Sequence, residues 1–144
     1  MKGPRRRSRE IALQALYAWQ LGGGNPVEEL RARDEEGHAD RELAEGLVRG
    51  VVARAEELRA LIAPCLDRDF ARLSPVERAI LAIGTWELLH RPEIPYRVVI
   101  NEAVELAKSY GGTDGHKYVN GVLDKVAADV RGDEIRALAS ERAA

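Results

Sequence analysis

Apolar residues recur along this chain at spacings of three and four, which is the period of an amphipathic helix. They alternate with polar residues nowhere over the length of a β-strand, and glycine and proline break the helical pattern at short intervals. The pattern therefore predicts an all-α protein of about seven helices with short loops. The predicted helices cover about 8–21, a short segment after Pro26, 39–62, a turn near Leu66 and Phe70, 74–90, 96–110 and 116–130.

The segment Ser74-Pro75-Val76-Glu77 carries the clearest local signal for a helix start. Ser74 suits the N-cap, proline suits the first helical position, and Glu77 lies three residues after the cap, where its carboxylate can reach back to Ser74. The helix that follows is apolar on two faces, so we predict that it lies centrally and packs against neighbours on more than one side.

Length and composition fit one compact domain, because 144 residues with 45% hydrophobic positions suffice for a sizeable core. We predict a flexible basic arm over 1–7, a helical domain over 8–131 and a polar tail over 132–144 that is either weakly helical or frayed. The domain divides into halves at about 8–73 and 74–131. No stretch reaches the roughly 18 apolar residues that span a bilayer, which predicts no membrane association. The lone Cys65 suits a reducing cytoplasm.

The net charge of −2 hides a segregation of charge along the chain. Residues 1–10 hold five basic residues against Glu10, whereas 28–45 hold eight acids against three arginines. A concentrated basic end favours a polyanionic partner, and arginine both matches phosphate oxygens and stacks on exposed bases. A solvated tail that aids solubility is the alternative. The candidate RNA contacts here are Lys2, Arg5, Arg6, Arg7 and Arg9.

A second candidate for phosphate binding is the predicted helix start at Asp114-Gly115-His116-Lys117-Tyr118. The first N–H groups of a helix point at an incoming anion, Lys117 adds charge, and His116 or Tyr118 can stack on a base. In the alternative interpretation, Asp114 is simply the cap and Tyr118 packs into the core. A Walker-type phosphate loop is excluded, because Lys117 follows histidine rather than glycine and no Ser or Thr comes next.

The residues that enzymes most often use are poorly placed for catalysis. His38, His90 and His116 lie far apart, without the spacing of metal ligands, and Cys65 has no neighbour in sequence that would activate it. The sequence therefore predicts a binding protein with no enzymatic activity, no metal and no cofactor.

Three segments together carry a resemblance to a known family. They are RRRSREIALQALYAWQ at 5–20, SPVERAIL at 74–81 continuing into WEL at 86–88, and IPYRVVINEAVELAKSYG at 94–111 followed by DGHKYVNGVLD at 114–124. In content and in order these segments resemble the NusB family. The likeness covers most of the chain except the acidic stretch around 22–42 and the tail.

The resemblance implies two small helical bundles in one globular domain. It also implies a factor that binds boxA-type single-stranded leader RNA with NusE, a small-subunit ribosomal protein. Through RNA polymerase and other Nus factors, such a complex supports antitermination in ribosomal RNA operons. On this basis the N-terminal arginines and the 114–118 segment are expected to lie side by side as one RNA surface.

The resemblance further implies that Tyr17 and Glu77 contact NusE. Tyr17 lies off the main apolar stripe of its helix, so we expect its ring to be half exposed, as suits a protein interface. Its alternative role is contact with a neighbouring helix, and the alternative role of Glu77 is the capping box.

Two other functions stay open at this point. The chain could be the accessory domain of a ribosomal RNA methyltransferase with a NusB-like fold, although it is too short to include a methyl-donor domain. It could also be a homo-oligomeric helical module, such as a homodimer, whose RNA site is masked.

Overall fold

The computed structural model of the protein describes residues 3–143. These residues form eight α-helices and two short 3₁₀ turns and contain no β-strand, which confirms the all-α prediction. The helices are α1 (Pro4–Gly22), α2 (Pro26–Arg33), α3 (Arg41–Ala53), α4 (Ala55–Ile62), α5 (Pro75–His90), α6 (Tyr96–Tyr110), α7 (Gly115–Val130) and α8 (Gly132–Ala143). The 3₁₀ turns are Ala63–Cys65 and Phe70–Arg72.

The predicted capping box at the start of α5 is present in full. The backbone N–H of Glu77 donates to Ser74 Oγ at 3.1 Å, and the backbone N–H of Ser74 donates to Glu77 Oε1 at 3.3 Å. Asn25 caps α2 in the same manner, since its side-chain oxygen accepts from the N–H groups of Val27 and Glu28. Both helix starts were therefore predictable from local sequence.

Helix α1 begins four residues earlier than predicted, so residues 4–7, which were assigned to a flexible arm, are helical. Pro4 occupies the first turn, and the N–H of Arg7 donates to the carbonyl of Gly3 at 3.0 Å. Ser8, where the predicted helix begins, is buried, and its hydroxyl lies 2.6 Å from the carbonyl of Asp40. This contact ties the first turn of α1 to the start of α3, and that tertiary anchor explains the longer helix.

The helix predicted over 39–62 is divided at Arg54, which separates α3 from α4. The division lets α3 lie against α1 and α5, while α4 lies against α5 and α7. Of the two interpretations of the tail, the structure shows the helical one, because residues 132–143 form α8. Its residue Glu134 accepts the backbone N–H of Tyr96 at 2.9 Å, and this contact anchors α8 to the start of α6.

Helix α5 occupies the centre of the molecule and contacts α1, α3, α4, α6 and α7, as its two apolar faces predicted. The core around α5 includes the buried side chains of Leu16, Ile80, Trp86, Ile100, Val119 and Leu123. Trp19 packs against this core and is only partly buried. None of the helices within residues 3–143 combines the length and the apolar character needed to cross a membrane.

Candidate nucleic-acid interface

The first two turns of α1 carry the arginine run in a position that disfavours it electrostatically. No acidic residue lies in the first turn, and Arg5, Arg6 and Arg7 add positive charge where the helix dipole is already positive. Arg5 and Arg6 are exposed and Arg7 is half-buried. An anion at this end of α1 would relieve the repulsion, which makes the turn a candidate phosphate site.

The three arginines of the run differ in their partners. Arg6 forms a two-pronged ion pair with Glu102 of α6, at 3.1 Å for each bond, and this hydrogen bond and charge raise the pKa of Arg6. Arg7 donates to the carbonyl of Arg33 at 3.3 Å, at the C-terminal end of α2. Arg5 has no hydrogen-bond or ion-pair partner among residues 3–143, so its guanidinium is available to a ligand. Lys2, the remaining basic candidate, lies outside the described residues.

Arg9 must be removed from the predicted RNA surface, because its side chain is interior. It is 4% exposed and pairs with Glu87 of α5, which is 1% exposed, through bonds of 2.9 and 2.7 Å. Burial opposes the charged form, but the hydrogen bond and charge of Glu87 outweigh it and raise the pKa of Arg9. The sequence held a signal for this role, since Arg9 shares the buried face of α1 with Leu13 and Leu16.

The second predicted RNA-binding segment forms the start of α7. Asp114 is exposed and stands at the N-cap position of α7, but its side chain makes no capping hydrogen bond, so the alternative interpretation of this residue as a side-chain cap is not supported. Its carboxylate lies 3.5 Å from Lys117 Nζ, and both side chains are about three-quarters exposed, at 76% and 74%. His116 is half-buried. A phosphate here would meet the free end of α7 and Lys117, with Asp114 as a competing anion.

Tyr118 packs partly against the core, which is one of the two roles that the sequence left open, and its hydroxyl reaches another segment of the chain. Its ring is half-buried and lies against the core, while its hydroxyl donates to Asp67 Oδ1 at 3.1 Å. The guanidinium of Arg68 lies 4.3 Å from the ring centre and donates to Asp67 at 2.8 Å. Burial and the Asp67 hydrogen bond raise the pKa of Tyr118, whereas Arg68 and then Tyr118 lower the pKa of Asp67. We call Asp67, Arg68 and Tyr118 the tyrosine cluster.

Sequence reasoning missed Asp67 and Arg68, and no local pattern distinguishes them. They lie between the two 3₁₀ turns, about fifty positions before Tyr118, in a segment with several other charges. Their relation to Tyr118 depends on α4 and the first 3₁₀ turn contacting α7.

Helix α6 connects the two groups of candidate RNA contacts, which are the arginines at 5–7 and the segment 114–118. Arg6 reaches Glu102 in the middle of α6, and Gln14 donates to the hydroxyl of Tyr110 at the end of α6, at 3.1 Å. Glu102 and Tyr110 are separated by about 12 Å along the helix. The loop after Tyr110 leads directly to the start of α7. The two groups therefore follow one another along α6, and no ion pair joins them within residues 3–143.

Tyr17 and Glu77 come from different helices that the fold brings together. Gln20 of α1 donates to the carbonyl of Pro75 at 3.0 Å, and Tyr17 lines a shallow depression with Val76. The ring of Tyr17 is 39% exposed, as expected from its place off the apolar stripe. The Glu77 carboxylate accepts from the N–H and from the hydroxyl of Ser74, and both hydrogen bonds fall on Oε1. Its second oxygen, Oε2, therefore remains available to a partner.

Residues 3–143 contain no cluster of three or more His, Cys, Asp or Glu side chains arranged for a metal ion. Cys65 is buried, and burial followed by the charge of Asp129 raises the pKa of its thiol. A thiol in this environment is a poor nucleophile.

Comparison with known proteins agrees with this architecture. Residues 6–128 match the model of the NusB family. A transcription antitermination protein NusB of Paraburkholderia phytofirmans is 54% identical over 140 residues, which cover 95% of this chain and 97% of the relative. The protein of the same name from Bordetella pertussis is 52% identical over 143 residues, covering 94% of this chain and 93% of the relative. These relatives are named for antitermination and not for an enzymatic activity.

Solved structures give the same result. NusB of T. maritima superposes with a TM-score of 0.80 at 35% identity, covering 88% of this chain and 92% of that one. A chain in a crystal structure of antitermination factors NusB and NusE in complex with double-stranded RNA superposes with a TM-score of 0.75 at 33% identity. The match covers 84% of this chain and 93% of that one. A methyltransferase accessory domain receives no support from these matches. Fold, sequence and the order of the three motifs agree, and this chain belongs to the NusB family.

Proposed function

We propose that this protein is a transcription antitermination factor that binds boxA-type single-stranded RNA together with NusE. The match to NusB proteins over nearly their whole length is the observation that carries the proposal. A relative solved with NusE and RNA supplies the partners. The protein acts by assembly rather than by chemistry, needs no cofactor, and supports transcription of ribosomal RNA operons by RNA polymerase with other Nus factors. Its place is the cytoplasm, where transcription occurs.

The RNA contacts in this proposal lie along α6. Arg5, Arg6 and Arg7 hold phosphates at the start of α1, and Lys117 with the N–H groups of α7 holds the strand at the other end. Lys2 adds charge at the first site. His116 and Tyr118 contribute aromatic rings to this surface, and Asp114 offers acceptors to base N–H groups.

NusE binds, in this proposal, at the surface formed by Tyr17 and the first turn of α5. Leu21 is 62% exposed and lies one turn beyond Tyr17 on α1, so two exposed apolar side chains follow each other there. Glu77 Oε2 lies at the margin as an acceptor for a donor of the partner. An apolar centre with a polar margin is the usual composition of a protein interface.

The RNA bridges both proteins, so each alone binds weakly and the pair binds more tightly. Anisotropy titration of labelled boxA RNA, with and without NusE, at two salt concentrations measures this coupling. Joint replacement of Arg5, Arg6 and Arg7 by alanine should weaken binding and reduce the salt dependence by roughly 0.7 in logarithmic slope for each lost phosphate contact.

The matched control is the joint replacement of Arg49, Arg54 and Arg136, which are exposed and distant in sequence from the first turn of α1. Replacement of these three residues by alanine removes the same positive charge as the triple variant at 5–7. Equal losses for both triple variants would contradict a local site and indicate only a general effect of charge. Light scattering with and without NusE separates the monomeric complex from a homodimer that covers the Tyr17 surface.

A further inference from the structure

The tyrosine cluster (Asp67, Arg68 and Tyr118) has a geometry that the contacts proposed so far do not use. The sequence allowed Tyr118 either to stack on a base or to pack into the core, but Arg68 already lies over its ring at 4.3 Å. A base can therefore reach this face of Tyr118 only by displacing Arg68, or it can stack on Arg68 itself.

Asp67 holds both members of the stack in place. Its Oδ1 accepts from Arg68 Nε at 2.8 Å and from the Tyr118 hydroxyl at 3.1 Å, and its Oδ2 lies 3.5 Å from Arg68 Nη2. The guanidinium thus has fixed contacts with a carboxylate along one edge and a ring beneath it. Displacing it would break all of these contacts, whereas stacking on top of it would keep them.

Arg68 keeps part of its side chain in solvent although Asp67 and Tyr118 both contact it. Its side chain is 40% exposed, and Asp67 and Tyr118 are its only hydrogen-bond, ion-pair or ring partners within residues 3–143. A planar guanidinium with one covered and one open face is suited to stack an unpaired base, because it is weakly hydrated and delocalised. A lysine ammonium lacks this plane.

We propose that Arg68 is an RNA-stacking residue, which receives one unpaired base on its open face while Tyr118 supports it from below and Asp67 orients it. This inference rests on the proposed RNA binding and deepens it by naming a base contact. It places the base readout on the segment between the two 3₁₀ turns, whereas the α1 arginines contact phosphates and carry no sequence information.

The test measures binding of labelled boxA RNA to the NusE complex of the unaltered protein, Arg68→Ala and Arg68→Lys. Arg68→Ala should weaken binding about fivefold or more, since loss of one stacked base has an effect of that order. Arg68→Lys keeps the charge and should restore the salt dependence but not the affinity. Arg54→Ala is the control, because it removes an exposed arginine that pairs with Glu57 and touches no ring.

A series of RNAs with one abasic nucleotide at each successive position locates the base. At one position the abasic RNA should bind weakly to the unaltered protein, and Arg68→Ala should cause no additional loss there. Equal additional loss at every position would mean that Arg68 acts through charge alone and would overturn the proposal. So would unchanged or tighter binding by Arg68→Ala, which would mean that the base displaces Arg68 and stacks on Tyr118.

Two failures are distinguishable in this design. If the unaltered protein with NusE binds no boxA RNA, the proposed function fails and this inference fails with it. If the unaltered protein binds and the arginine triple variant at 5–7 does not, while Arg68→Ala is unaffected, only the assignment of Arg68 is wrong. Thermal melting of each variant checks that the exposed substitution leaves the fold intact.

Discussion

Arg5 and Arg9 lie one turn apart on α1, yet the two ends of that turn have opposite environments. Arg5 is exposed and without a partner in residues 3–143, whereas Arg9 is 4% exposed and joined to Glu87 in the interior. A second interior arginine, Arg131, shows the same character as Arg9. The comparison teaches that arginines only four residues apart in a basic segment can have different roles. One stabilises the fold, and the other is available to a ligand.

Arg131 closes the end of the central helix. It follows α7 and donates to the carbonyls of Leu88, Ile94 and Arg91, at 2.7, 3.0 and 2.9 Å, and it also pairs with Glu134. The last carbonyls of a helix have no partner within the helix, and buried ones must find one elsewhere. Arg131 therefore stabilises the link between α5 and α6, where these carbonyls accept its hydrogen bonds.

The largest effect in this comparison is expected at Arg9. Arg9→Ala leaves the buried carboxylate of Glu87 without its partner, and breaking such a pair costs about 3–5 kcal/mol of unfolding free energy. Urea denaturation measures the loss. Arg6→Ala, which breaks an exposed pair of the same type, should cost no more than about 1 kcal/mol. Similar losses for the two variants would refute the distinction between interior and surface arginines.

Arg131→Ala should produce the next largest effect, a loss of about 2–3 kcal/mol, because hydrogen bonds from a charged donor to buried carbonyls are removed together. The same denaturation experiment applies. Arg136 lies five residues later, on α8, and its side chain is 73% exposed. Arg136→Ala should therefore leave the free energy of unfolding nearly unchanged. A neutral Arg131→Ala would mean that water replaces the guanidinium at the end of α5.

A smaller effect, on RNA rather than on stability, is expected at Glu102. Glu102→Gln releases Arg6 from its ion pair and should raise affinity for boxA RNA about twofold to fivefold, since an exposed pair contributes up to about 1 kcal/mol. Anisotropy titration at low salt measures the gain. Glu105→Gln removes the same charge from α6 without breaking the Arg6 pair. An equal gain from Glu105→Gln would point to long-range charge instead of release of Arg6.

The smallest effect concerns the pH dependence of the tyrosine cluster. The pKa of Asp67 is lowered from its usual 3.8 by Arg68 and then Tyr118, so its stabilising contribution is present above that value. The contribution is lost as pH falls through the lowered pKa. Asp67→Asn should therefore melt slightly below the unaltered protein at pH 6, and the gap should close as the pH falls through the lowered pKa of Asp67. Thermal melting across this range measures the gap, and one that widens at low pH would contradict the geometry.

Local patterns determined most of the fold in advance. The capping box at Ser74, the Asn25-Pro26 start of α2 and the glycines after α1 and α6 are short-range signals, and the helices they bound agree with the structure. The helical start at Pro4, the division at Arg54 and helix α8 were not predictable in this way. Each depends on a contact with a distant segment, such as that of Ser8 with Asp40 or Tyr96 with Glu134.

The candidate site likewise has features that local sequence predicts and features that depend on tertiary contacts. The sequence by itself determined that an all-α chain carries a basic start and a helix tip suited to phosphate, because helix period, caps and charge are local properties. Only the tertiary structure decided which arginines face solvent, since Arg9 meets Glu87 and Arg68 meets Tyr118 across the fold. Burial and pairing are properties of segments that come together from far apart, and a linear pattern of charges does not contain them.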